Sequence, residues 1–563
     1  MGRTTAVSSS ALLHTSSTRS HLPRTCSYVK RPCSRRAVRL LALALFLVTT
    51  RVLPGFSEAR AEDQILRASL NTELQILDPI FSTVNATRVF AYMVFDTLVS
   101  IDNEGEYHPQ MLEGWQISDD KMTYTFRLRE GLTWSDGNQV TADDCVASIR
   151  RWAKRESFGA QLIEATQEFR VVDSKTFELR LSRPFAFVIE ALGKPGNVIP
   201  VMMPARLAGL DISKPVPEVV GSGPFLFRRD EWRPNDRAIF DRNPNYRPRE
   251  EPPDGLAGGK VVRLDRVDLV SMPDQATRVA ALRTGELDLL EVVPFDSIAI
   301  LRRDPNVTIT SQHGIEQMMT VIALNHLQPP FNNVLVRRAL QAAIAQEDVM
   351  AGMGLPDDMY LPRCLSIYMC GSPGTTDAGT DMYRSAGIEQ AKKLLQEAGY
   401  HDEPVVFLHA STSALLDPVG LITADQMRRA GFNVDVRTSD FTTVAERRRS
   451  RAPVEKGGWS VVPIVWNGID MVNPLSDPAV SYNCSESNPG WYCDAKLTEL
   501  LRRYSGTFDA AERKDLAAQI QAEFHSNVNY VLAGQFSAPR AYRANLRGVV
   551  PFAFPVFWNV ERK

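Results

Sequence analysis

"MTYTFRLREGLTWSDGNQVTADDCVASIRRW", Met122–Trp152, changes its periodicity half-way. Tyr124, Phe126 and Leu128 alternate with Thr123, Thr125 and Arg127, the period-two pattern of a half-buried strand. "SDGN" then supplies turn residues. Thr141 is a good helix N-cap, with Asp144 three residues on. Beyond it Cys145, Ile149 and Trp152 fall on one face of a 3.6-residue repeat. The unit therefore reads as strand, turn and helix, with Trp134 plugging the turn. It contains no paired nucleophile and base, so it is scaffold rather than a reaction centre.

The chain around it has 563 residues, long enough for several domains or one large protein with two lobes, and its 44% hydrophobic and 23% charged residues are the balance of a folded protein. Residues 1–39 are rich in Ser, Thr and Arg and contain no acid. The short apolar run "LLALALFLV", Leu40–Val48, follows, and then Ala59-Arg60-Ala61. A basic segment, a short apolar core and a small-x-small end make a secretory signal cleaved near Ala61. The run is too short to span a membrane, which takes roughly 20 residues. The pair Arg35-Arg36 hints at twin-arginine export but lacks the usual aromatic after it, which favours the general secretory route. Removing residues 1–61 leaves 54 of the 64 basic and 65 of the 66 acidic residues, a net charge of −11. Such an acidic exported protein is a poor binder of nucleic acid.

Five cysteines remain after cleavage. Cys364/Cys370 and Cys484/Cys493 are close pairs in loop-like sequence, fit to form disulfides in an oxidising compartment. Neither pair has the CxxC spacing or nearby histidine of a zinc site. Cys145 reads as a buried thiol. The six histidines of this part form no HExxH pair, and there is no G-x-S-x-G elbow or G-x-x-x-x-G-K-[ST] loop. No metal, no cofactor and no enzymatic activity are expected. A secreted hydrolase assembled from scattered residues is the rival from another class.

Further along, "RVDLVSM", a helix over 273–284 stopped by Gly285, and "ELDLLEVV" make a βαβ unit and so a parallel sheet. "IEQAKKLLQEAGY", "EPVVFLHA", "DPVGLITADQMRRAGF" and "NVDVRT" repeat an α-then-β plan, and this alternation between about 335 and 440 is the mark of a second α/β lobe. Residues 247–260, "RPREEPPDGLAGGK", read as an exposed loop. "DAAERKDLAAQIQAEFHSNV", opening on Asp509 with Glu512, reads as a helix and "NYVLAGQF" as a strand.

The opening stretch resembles the hallmark of the family 5 bacterial solute-binding proteins, the peptide-binding components of ABC importers. There a strand of the form "tYtFkLR" leads into "GvkwsDGeplTAeDVv". Other pieces are similar to that family in the same order: "LQILDPIFS", "VFDTLVSIDNEGEYHPQMLEGWQIS", "VVGSGPFLFRRDEWRPNDRAIFDRNPNY", "ALRTGELDLLE", "LNHLQPPFNNVLVRRALQAAIAQEDVM", "AKKLLQEAGY" and "AYRANLRGVVPFAFPVFWNVE". The resemblance covers nearly all of 63–563. It implies an α/β periplasmic binding protein clamshell of type II, of the large class with an extra N-terminal subdomain. The expected layout is a signal over 1–61, lobe I with its subdomain over 62–320, lobe II over 321–530, and a return to lobe I over 531–563. It also implies a monomer that carries a di- or oligopeptide to an ABC permease with a separate ATPase. A non-peptide solute (an opine, a guanidino compound, haem or a nickel chelate) is the alternative cargo.

Many family members neutralise the peptide's α-ammonium with a carboxylate that follows a Trp in the second lobe. In "PIVWNGIDMVNP", Trp466 matches the tryptophan and Asp470 is the nearest acid, about one residue off the usual spacing. Asp470 is thus the expected ammonium partner, with Asn467 beside it. Phe81 and Ser82 match a segment that reaches the cleft, Trp459 is a further ligand candidate, and Asn325 in "ALNH" is expected at the lobe crossover. "GSGPF", Gly221–Phe225, reads as a tight backbone turn, since Pro after GxG cannot open a phosphate-cradling helix.

Overall fold

A computed structural model describes residues 64–372, 374–485 and 488–563. The expected signal and its cleavage point lie outside the described residues. Two sheets organise the rest. The first has seven strands, in the spatial order Val307–Thr310, Arg540–Arg543, Leu289–Leu290, Ile65–Ser69, Arg266–Val270, Arg237–Arg242 and Phe225–Phe227. The second has six, in the order Tyr360–Leu361, Tyr530–Phe536, Met318–Leu324, Val461–Asn467, Pro404–Ala410 and Asn433–Ser439.

The βαβ reading holds. Strands Arg266–Val270 and Leu289–Leu290 both run parallel to Ile65–Ser69, which lies between them. In the second sheet Pro404–Ala410 and Asn433–Ser439 pair in parallel through the helix Asp417–Arg429. That helix places Val419, Thr423, Ala424 and Met427 inward at i, i+4, i+5 and i+8.

The opening stretch forms the strand Thr123–Leu128 and the helix Ala142–Ala153. The strand sits inside a separate four-stranded sheet, between Leu112–Ile117 and Thr176–Leu181, with Thr166–Asp173 outermost. Thr141 and Asp144 complete a capping box, each side chain bonding the other's backbone N–H. Trp134 is buried, and its indole N–H lies 3.4 Å from Asp144 Oδ2. The turn is therefore a packed plug. Arg151 of the same helix donates to Asp78 Oδ2 at 2.8 Å, which ties this hallmark to the "LDP" segment.

The chain leaves the first sheet after Thr310 and enters the second at Met318. It leaves the second after Phe536 and returns to the first at Arg540. The expected boundaries at 320/321 and 530/531 are thus corrected, because both fall inside second-sheet strands. The apolar run of a central strand gives no sign of where the chain changes sheet. Polar side chains knit the two crossovers together. Gln312 donates to Ala553 O and accepts from Ala538 N, Ser537 donates to Gln312 O, and Gln535 donates to Gln317 Oε1 at 2.7 Å.

Cys364 is bonded to Cys370 and Cys484 to Cys493. The 364–370 loop is clipped by Gln346, which bonds both backbone groups of Cys364, and by Gln535, which does the same for Cys370. Cys145 is buried, which pushes its thiol up. The 247–260 segment is only half as expected. Glu250–Asp254 is exposed, but Leu256–Lys260 is buried, with Lys260 Nζ on Asp96 at 2.8 Å.

Candidate functional site

The strand Val461–Asn467 leaves the second sheet beside the crossover and turns through Gly468–Asp470. Gly468 donates to Gln317 O at 2.7 Å, and a Cβ there would sit 2.7 Å from that oxygen and 2.8 Å from Met369 Cγ. Only glycine lets the turn seat between the crossover and the Cys364–Cys370 loop. The next acid along, Asp470, is 4% exposed. Its carboxylate faces residues that precede the first crossover. Oδ2 is 4.0 Å from Arg88 Nη1, and Oδ1 is 4.0 Å from Lys194 Nζ.

Arg88 sits in the helix Asn85–Val94, whose residues from Ala86 onward are all buried. A helix buried on every side needs cover on every side. The "GSGPF" turn supplies some of it at the C-terminal end, where Gly223 donates to Val94 O at 2.9 Å. The guanidinium lies 4.4 Å from the Phe554 ring centre, and Nη2 is tied to Asn85, which is tied in turn to Glu291. Nε and Nη1 have no hydrogen-bond partner among the described residues. Burial lowers the guanidinium's pKa, and the charges of Asp470 and Glu291 work against that shift.

Lys194 donates to Asn197 O at 2.7 Å and lies 3.7 Å from Glu156. Burial pushes the Glu156 carboxyl up, while Lys194 and the Gly159 N–H pull it down. Gly196 completes the contact. A Cβ there would fall 1.5 Å from Asp470 Oδ1 and 2.7 Å from its Cγ. Behind Asp470, the buried Asp477 carboxyl is pushed well above its usual range, first by desolvation and then by the Asp470 charge. The site is thus a buried carboxylate of the second lobe set against two cations of the first. The three charges approach one another without closing a hydrogen bond.

The other expected residues divide. Trp466 and Asn467 lie on the strand that leads to Asp470, half-buried, with Trp466 edge-on to Tyr530 at 5.0 Å. Phe81 and Ser82 form the turn before the Arg88 helix. Their polar groups are used locally, Ser82 accepting from Thr87 Oγ1 and Phe81 O from Arg155. Trp459 is a core residue, fully buried 6.1 Å from Trp491, because an apolar ring at a strand start packs into the core. Asn325 is not at the crossover. It follows the far end of Met318–Leu324 and is held there by Trp459 O and Leu327 N.

Sequence reasoning missed Arg88, Lys194, Glu156 and Gly196. The signal for two of them was present: Arg88 is the one charge in "NATRVFAYMV" and Lys194 the one charge in "ALGKPGNVIP".

Residues 106–489 match the model of the bacterial extracellular solute-binding proteins, family 5 (middle). The chain belongs to this family. A "probable peptide ABC transporter periplasmic-binding protein" of Sinorhizobium fredii is 36% identical over 508 residues, covering 90% of this chain and 94% of that one. Among solved structures, a dipeptide-binding protein of a Pseudoalteromonas species with Met-Leu aligns at TM-score 0.75 and 20% identity, over 89% of this chain and 100% of that one. A periplasmic binding protein of Agrobacterium with agropinic acid aligns at TM-score 0.73 and 22% identity, over 89% and 99%. These likenesses establish the two-lobed α/β fold. Family 5 is a transport family whose members bind solutes.

Proposed function

We propose that this chain captures short peptides between its lobes in the periplasm and hands them unchanged to an ABC permease. The observation that carries this reading is the buried Asp470 carboxylate, which meets the opposite lobe without a direct hydrogen bond to either cation. A buried charge needs a partner, and a peptide α-ammonium is the partner that family membership and the Sinorhizobium relative favour. Affinity comes from closure. A ligand that touches both lobes only when they are shut shifts the population toward the shut form. Backbone hydrogen bonds to an extended peptide supply generic affinity, and water tolerates varied side chains. On this reading the protein works as an exported monomer, and the ATPase is a separate subunit.

The test is the solute that co-purifies with the protein from periplasm, identified by mass spectrometry. The expected result is peptides, released intact on mild denaturation, with X-ray scattering showing a more compact particle when they are added back. Cleaved fragments, or identical scattering with and without them, would overturn it.

Gly196 offers a direct check on closure. Gly196→Ala puts a methyl where the Asp470 carboxylate now lies, so the lobes cannot shut to the same depth. Affinity for any captured peptide should fall about tenfold, roughly 1.4 kcal/mol, and the bound particle should scatter as less compact. Unchanged affinity in calorimetry would show that this contact is not part of closure.

A further inference from the structure

Arg88 is the unassigned half of the site. It and Asp470 come from opposite lobes, and their side chains are 2% and 5% exposed. They stand 4.0 Å apart, beyond hydrogen-bond length. Each has capacity to spare: Arg88 Nε and Nη1 lack an acceptor among the described residues, and Asp470 Oδ2, which faces Nη1, lies 4.0 Å from it, too far for a hydrogen bond. Arg88 is not free to swing toward another partner. The Phe554 ring holds one face of the guanidinium, and Asn85, braced by Glu291, holds Nη2.

A buried pair left unsatisfied at both ends is costly. It suits a third group that brings both signs at once. We propose that Arg88 and Asp470 together bind one α-amino-acid head group, the ammonium on Asp470 and the carboxylate of the same carbon on Arg88. The preferred ligands then keep a free α-carboxylate beside a free α-ammonium, as γ-linked peptides do. The proposal rests on the reading that the interlobe site captures peptides.

The distances support it. In such a head group the ammonium nitrogen and the nearer carboxylate oxygen are about 2.7 Å apart, by ordinary covalent geometry. Charge-assisted hydrogen bonds to Asp470 and to Arg88 each add about 2.8 Å. Four atoms so linked can close a trapezoid whose long side is about 4 Å when the angles at the head group are near tetrahedral, a span that the 4.0 Å between Asp470 Oδ2 and Arg88 Nη1 allows. In an ordinary α-linked peptide the same position holds an amide, with no charge to offer Arg88. Its C-terminal carboxylate lies at least one residue, roughly 3.5 Å of chain, further on.

Lys194 has a different part. Its Nζ already serves Asn197 O and lies beside Glu156, so it holds the Asp470 charge in place from the Oδ1 side rather than meeting the ligand.

The test uses isothermal calorimetry on the full exported protein with an isomeric pair, γ-glutamyl-alanine and α-glutamyl-alanine. A third probe is the γ-isomer with its α-carboxylate amidated. The γ-isomer should bind at least tenfold more tightly than the α-isomer, and amidation should remove that advantage. Arg88→Gln should lower affinity for the γ-isomer at least tenfold and abolish the discrimination, with the fold checked by circular dichroism.

Equal or tighter binding of the α-isomer overturns the proposal and leaves peptide capture standing. So does an Arg88→Gln variant that weakens both isomers alike, which would make Arg88 a closing latch. If neither isomer binds but other α-linked peptides do, only the head-group proposal fails. If no peptide binds at all, the capture reading fails with it.

Discussion

Replacing Asp470 with asparagine is expected to weaken binding of peptides with a free α-ammonium about a hundredfold, and to leave N-acetylated peptides nearly untouched. The substitution keeps the shape of a side chain that is 4% exposed and removes only its charge. A hydrogen bond between charged groups is worth about 1.5–3 kcal/mol, and 1.4 kcal/mol is tenfold in affinity. The upper end applies for two reasons. The carboxylate is desolvated, so its attraction for a cation is strong. Its loss also removes the negative charge 4.0 Å from both Arg88 and Lys194, so these cations would repel an incoming ammonium more strongly. An acetylated terminus has neither the attraction to lose nor the repulsion to feel. Titrating matched free and acetylated peptides into both proteins separates the outcomes. Equal losses for the two would mean that Asp470 supports the cleft without meeting the ammonium.

How far the sequence could go is clear from where it stopped. Elements were legible wherever periodicity changed cleanly. Alternation over 123–128 gave a strand, and Thr141 with Asp144 gave the helix start to the residue. Asp470 was legible as a candidate through its place after Trp466. Its surroundings were not. Arg88 lies in a helix buried all round, and no periodicity distinguishes a charge inside such a helix from one on its solvent face. Lys194 and Gly196 meet Asp470 across 274 or more residues of chain, a proximity that only the tertiary fold creates. Trp459 and Asn325 went the other way. A tryptophan and an asparagine at strand ends read as a ligand group and a crossover residue when one end of a strand cannot be told from the other. The crossovers were displaced because Met318–Leu324 and Tyr530–Phe536 continue their apolar runs past the expected boundaries.

The largest effect on stability should come from Arg151→Met, a loss of about 3–5 kcal/mol in urea unfolding. Arg151 and Asp78 are 1% and 0% exposed and meet at 2.8 Å. The pair joins the helix of the family hallmark to the segment that leads into the Arg88 helix. Asp78 also accepts from Ile80 N and Val216 N, each at 2.9 Å, and Arg151 donates to Leu210 O. Methionine fills much of the volume but leaves a buried carboxylate with two backbone donors and no counter-charge. Removing one partner of a buried pair costs far more than removing both. Asp78→Asn combined with Arg151→Met should therefore recover part of the loss, because contacting residues do not add. Should the single variant lose less than about 1 kcal/mol, the value of an exposed ion pair, the carboxylate would have to be reaching water or a proton. Arg151 would then not be what locks the hallmark helix to the segment leading into the site.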